Sequence, residues 1–126
     1  ALMDSGMIVT GADFLLRPGR KEAIAAHMQE VRARRCARIP HGVRCAGSVF
    51  KNPKPEAAGR LLDQAGCKGL CAGGAVVSEL HANVIVNQGG ASAADVLTLM
   101  REMRQRVRDR FGVELEPEIV LKGVSL

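Results

Sequence analysis

The run Phe50-Lys51-Asn52-Pro53-Lys54-Pro55 constrains this chain more than any other stretch. Proline has no N–H and drives the residue before it out of the helical region, so Asn52 is extended. The apolar and small residues ahead of it, Ala46-Gly47-Ser48-Val49-Phe50, therefore read as a strand that stops here. Pro55 and Glu56 suit a helix start: proline wastes no donor there, and the carboxylate faces the positive end of the dipole. Ala58, Leu61, Leu62 and Ala65 recur at helical spacing, and Gly66 is the expected terminator. A strand–helix unit thus brings the hydroxyl of Ser48, the ammonium of Lys51 and the amide of Asn52 to one mouth. That is a binding edge.

The rest of the chain arranges itself around this unit. Residues 7–16 read as strand material broken by Gly11, and 21–35 as a helix with Ile24, Met28 and Val31 on one face. Arg32, Arg34, Arg35 and Arg38 gather at its end, where cations complement the dipole, and 38–42 form a break. After the central helix, 75–78 and 83–87 are two short apolar strands, the second followed by Gly89-Gly90. Ser92 and Asp95 have the spacing of a capping box. The long helix that follows carries Val96, Leu99, Met100, Met103, Val107 and Phe111 as its apolar stripe, and Gly112 ends it. A last strand is expected over 118–122. The order β-α-β-β-α-β defines an α+β domain, with a mainly antiparallel sheet and helices packed on one face.

At 126 residues, 47% of them hydrophobic, the chain can bury a core without staples. Its apolar runs are too short for a bilayer, which needs about 20 residues. No signal-peptide pattern is present and the first residue is Ala, so the chain reads as a fragment or a processed product. The net charge of +5 suits an anionic small ligand better than nucleic acid, because no aromatics are interleaved with the basic residues. Cys36, Cys45, Cys67 and Cys71 offer only one tight pair, and His41 and His81 do not complete a zinc set. Four reduced cysteines and no metal are expected.

Four motifs in order, AGSVFKNP, AGRLLDQAGCKGL, GGAVVSELHANVIVNQGGASAADV and FGVELEPEIVLKG, resemble the carboxyl-terminal, substrate-binding domain of the UDP-N-acetylenolpyruvoylglucosamine reductase (MurB) family. The likeness is strong over residues 45–123. It implies that 1–40 are the tail of an FAD-binding domain and 41–126 the substrate-binding domain. It also implies a cytoplasmic, NADPH-dependent flavoenzyme of peptidoglycan synthesis that reduces UDP-N-acetylglucosamine enolpyruvate to UDP-N-acetylmuramate. No glycine-rich dinucleotide cradle occurs in this chain, so FAD would be bound mainly elsewhere, and the chain alone is expected to be inactive.

The resemblance also assigns roles. Ser48 matches the proton donor, which acts once hydride from reduced FAD has added to the enolpyruvyl double bond. Glu118 matches the glutamate that stabilises the enolic intermediate. Asn52 matches a substrate contact. Lys51 is a substrate-contact candidate on chemistry, a mobile cation for a diphosphate, and His81 is another, read equally as a structural histidine whose imidazole satisfies local backbone groups. The absence of tyrosine fits the subclass without a tyrosine-bearing loop, and Cys71 stands where an arginine is expected.

Two other functions are compatible with the residue types. A serine hydrolase would use Ser48, His81 and Glu118 as a triad, although Ser48 is in no GxSxG elbow. An RNA-binding α+β module would stack bases on sheet aromatics, for which only Phe50 is available.

Overall fold

The computed structural model describes residues 6–37, 40 and 42–126. They fall into two units, 1–32 and 33–126. Arg38, Ile39 and His41, members of the expected break, lie outside the described residues.

Helix α1 (Lys21–Cys36) begins in the first unit, with Glu22 in its first turn and Arg34 and Arg35 in its last. Charge and dipole agree. Its stripe is as expected but solvent-facing: Ile24, Met28 and Val31 are 48%, 66% and 44% exposed. The strand expected over 7–16 does not form, and those residues are exposed without regular structure. A strand must pair its backbone donors and acceptors, and among the described residues this segment joins no sheet.

The second unit holds a four-stranded sheet in the order β1-β4-β3-β2, with every neighbouring pair antiparallel. The strands are β1 (Arg44–Ser48), β2 (Cys71–Ala72), β3 (Ala75–Val77) and β4 (Val84–Asn87). Helices α2 (Ala58–Gln64) and α3 (Ala93–Phe111) pack on each other and on the sheet, as the α+β reading requires. Phe50, Leu62, Val77, Met100, Met103, Val107 and Leu115 are fully buried between these layers. Each such side chain contributes roughly 1.5–3 kcal/mol by leaving water. The methionines are core, as the stripe implied. Of that stripe, Val96 and Phe111 are only partly buried, and Leu97 joins in.

The ends of α3 are those expected. The Ser92 side chain accepts from the Asp95 N–H, the Asp95 carboxylate accepts from the Ser92 N–H, and Gly112 closes the helix at φ 68°. Gly66 likewise follows α2 at φ 70°.

Three local expectations are corrected. Helix α2 starts at Ala58, later than Pro55, because the acceptor that caps it reaches only that far, as described below. Cys71–Ala72 adds a short strand that periodicity did not reveal. The last strand shrinks to one antiparallel bridge, Phe50 to Pro117, with Lys51 N–H bonding the Glu116 carbonyl and Glu118 N–H the Val49 carbonyl, both at 2.8 Å. Pro117 has no N–H, and past Glu118 the segment finds no further backbone partner among the described residues to extend the ladder.

Candidate functional site

Strand β1 lies at one edge of the sheet and ends on Ser48. Between the pairs Cys45–Val86 and Ser48–Val84, β1 advances three residues while β4 advances two. The extra residue makes a bulge, and Gly47 takes the left-handed backbone (φ 81°) that it demands. Bulges re-aim the side chain that follows. Here that is Ser48, which is exposed on the wall of a cleft of about 710 Å³. The cleft is also lined by Asn52, Arg60, Lys68, His81 and Asn83.

Asn52 is both wall and structure. The N-cap of α2 is Ala57, which has no side-chain acceptor, and the first helical N–H, that of Ala58, is bound instead by Asn52 Oδ1 at 2.9 Å. The carboxamide is thereby oriented, with its Nδ2 donors left for a ligand.

His81 is fixed from three sides. Ser78 Oγ accepts from the N–H groups of Leu80 (3.2 Å) and His81 (3.4 Å), setting the turn between β3 and β4. The imidazole rests on Gly59 of α2, where a Cβ would stand 2.8 Å from its Cε1. Its Nδ1 accepts from the Asn83 N–H at 3.2 Å. That bond assigns the proton of the neutral ring to Nε2, making it a donor.

Arg60 pairs with Glu56, and Lys68 with Asp63 at 2.8 Å. Arg60 and Asp63 are exposed while Glu56 and Lys68 are half-buried, and surface ion pairs are worth about 0–1 kcal/mol, so an arriving dianion can compete for both cations. Sequence reasoning missed both, because each reads as an ordinary charge on a helix or turn.

Lys51 and Glu118 are not brought into the cleft wall. The Lys51 ammonium pairs with the Glu116 carboxylate across the bridge, and both side chains are exposed. Glu118 is exposed as well, and its backbone N–H bonds the carbonyl of Val49, the residue after Ser48. It therefore flanks the serine without lining the cleft.

The same geometry disposes of the other two functions. A triad needs a carboxylate on the N–H of histidine Nδ1, whereas Nδ1 of His81 is an acceptor occupied by a backbone N–H. Base stacking needs an exposed ring, and Phe50 is 0% exposed. Cys67 is buried, which pushes its thiol up to about 11, while Cys71 is exposed, and both are free thiols. Among the described residues no helix is long and apolar enough to cross a membrane.

A polar cleft lined by Arg60, Lys68 and Asp63, at the end of an edge strand in a sheet covered by two helices, defines an α+β domain with a charged cleft. Residues 39–122 match the family model of the UDP-N-acetylenolpyruvoylglucosamine reductase C-terminal domain, and the chain belongs to that family. It is 52% identical over 119 residues to the UDP-N-acetylenolpyruvoylglucosamine reductase of Methylorubrum extorquens (strain PA1), covering 94% of this chain and 38% of that protein. It is 51% identical over 117 residues to the reductase of the same name from Desulfosudis oleivorans, covering 92% and 37%. The crystal structure of UDP-N-acetylenolpyruvylglucosamine reductase (MurB) from Thermus caldophilus superposes with a TM-score of 0.63 at 43% identity, over 81% of this chain and 36% of that one. The chain thus spans about 38% of the length of the curated relatives it matches.

Flavin chemistry belongs to that family, and the Gly73-Gly74 pair does not fit the flavin's pyrophosphate. The pair has no room for it. A Cβ on Gly74 would stand 2.6 Å from the Ala91 nitrogen, and one on Gly73 would meet the Asp95 carboxylate at 2.5 Å. Those glycines pack backbone on backbone beside a negative charge, which would repel a second anion.

Proposed function

We propose that this domain holds UDP-N-acetylglucosamine enolpyruvate while an NADPH-dependent flavoenzyme of peptidoglycan synthesis reduces it to UDP-N-acetylmuramate in the cytoplasm. The observation that carries this reading is the cleft itself. Ser48 and Asn52 from one motif and His81 from another line one cavity, with Arg60 and Lys68 on its rim. Residues 1–40 are read as the tail of an FAD-binding domain and 41–126 as the substrate domain. FAD is held by parts of the longer protein other than this chain, so the isolated chain is expected to turn nothing over.

The roles follow from the chemistry of each group. Arg60 and Lys68 leave weak surface partners for the substrate diphosphate, and Lys51 adds charge from the neighbouring loop. Asn52 Nδ2 and His81 Nε2 donate hydrogen bonds that orient the sugar nucleotide. When bound, the flavin supplies a hydride to the far carbon of the enolpyruvyl double bond. The carbon bearing the carboxylate then carries the electron pair as an enolate and takes the proton from Ser48 Oγ. Water restores that hydroxyl. Glu118, set beside Ser48 by its bond to Val49, stabilises the charge gathering on the substrate carboxylate through a shared proton. Serine is a weak acid, so position matters more than acidity here.

The flavin-loaded longer protein, given NADPH and the enolpyruvyl substrate in D2O, tests the reading. One deuterium from solvent is expected on the carbon bearing the carboxylate. A protein that oxidises no NADPH with this substrate, or delivers no solvent deuterium there, contradicts it.

A further inference from the structure

Every polar group of Asn83 is committed to the walls of the Ser48 cleft. Its carbonyl accepts from Val49 N–H at 2.9 Å, and its Oδ1 accepts from Phe50 N–H at 2.9 Å. Its Nδ2 donates to the Phe50 carbonyl at 2.8 Å, and its own N–H donates to His81 Nδ1 at 3.2 Å. The residue is 3% exposed, so none of these bonds is readily replaced by water. Ser48–Val84 is the last register pair between β1 and β4. Beyond it, the side chain of Asn83 does what a continued strand would do and binds both polar backbone groups of Phe50. The clamp grips the chain two residues after Ser48, just past the bulge that aims it. The same residue holds the ring of His81 on the adjoining wall.

We propose that Asn83 is a positioning residue: its amide fixes the 48–50 backbone so that Ser48 Oγ is held at the reacting carbon. This rests on the reading of Ser48 as proton donor. Asn83 touches no reacting atom. Its effect passes through the serine, and a misplacement of about 1 Å costs on the order of 10²-fold in rate.

The test uses the complete flavin-loaded protein and the rate of flavin reoxidation at saturating substrate. The variants are Asn83→Ala, Ser48→Ala and the double variant, with thermal midpoint and substrate Kd measured alongside. Asn83→Ala is expected to slow reoxidation by about 10-fold or more while flavin reduction by NADPH is unchanged and Kd moves less than the rate. The double variant is expected to be no slower than Ser48→Ala alone, since a residue acting only through Ser48 has nothing left to position. A structural role would not give that non-additivity. Asn83→Asp keeps the acceptor for Phe50 N–H and loses the donor, and it decides the matter in the same way if Asn83→Ala does not fold. A folded Asn83 variant that reoxidises at the wild-type rate overturns the proposal, as does a double variant whose losses multiply. If neither variant folds, Asn83 serves the fold alone and the proposal is again overturned. Should Ser48→Ala itself reoxidise normally, the underlying reading fails, an outcome distinct from a neutral Asn83 beside a slow Ser48→Ala.

Discussion

Gly59 and His81 meet across the cleft so closely that a single added methyl group would have to displace the ring: a Cβ on Gly59 would lie 2.8 Å from His81 Cε1 and 3.5 Å from both ring nitrogens. The glycine is the second residue of a short helix, where its own preference is poor. Its use is the contact.

Gly59→Ala in the full protein therefore separates stability from binding. Alanine favours the helix over glycine by up to about 1 kcal/mol, so the thermal midpoint should hold or rise. The displaced imidazole should lose its hydrogen bond to substrate, raising Kd several-fold, of the order expected for one hydrogen bond worth about 1 kcal/mol. Calorimetric titration with the sugar nucleotide checks this. An unchanged Kd would remove His81 from the contact set.

Asn52 allows a cleaner separation still, because its two amide atoms have different tasks. Asn52→Ala loses the cap on Ala58 N–H, costing about 1 kcal/mol, together with any ligand bond. Asn52→Asp keeps an oxygen on Ala58, and a carboxylate caps at least as well as an amide. It removes the Nδ2 donors and adds a negative charge where an anion must bind. Stability close to wild type with at least 10-fold weaker substrate binding is expected for Asn52→Asp, given the lost donors and the cost of a like charge facing the anion. Equal binding by both proteins would leave Asn52 a helix cap only.

These residues also mark how far the sequence could be read. Local punctuation was legible: Gly66 and Gly112 close helices with positive φ, and the Ser92–Asp95 spacing is a true capping box. Such features depend on neighbours within a turn. The 118–122 segment misled because Ile119-Val120-Leu121 has strand chemistry, yet backbone pairing is decided by what lies alongside, and among the described residues the segment pairs through the one bridge at Pro117. Ser48, Asn52 and His81 were recognisable as candidates, and the cleft unites them. The pairing of Lys51 with Glu116 and the grip of Asn83 on Phe50, 33 residues apart in the chain, are non-local and leave no periodic trace. The one available hint was a polar residue between Ala82 and Val84 in an apolar run.

The capping box makes a prediction about pH. Hydrogen bonds from the Ser92 backbone and then its side chain, with a smaller one from the Gly74 backbone, hold the Asp95 carboxyl below its ordinary value of 3.8. A depressed carboxyl adds stability above its unfolded pKa, and that contribution disappears as pH falls through the lower folded value. NMR titration should find Asp95 below 3.8, and Ser92→Ala should move it upward. An Asp95 that titrates at or above 3.8 in the wild-type protein contradicts the box.

The most direct test of the account is Ser48→Ala in the complete enzyme, followed in two half-reactions. Removing one exposed hydroxyl should leave the fold and the reduction of flavin by NADPH intact. Reoxidation by the enolpyruvyl substrate should fall by about 10²–10⁴-fold, the usual contribution of a positioned general acid. A folded Ser48→Ala protein that binds substrate and reoxidises at the wild-type rate would show that the proton comes from elsewhere.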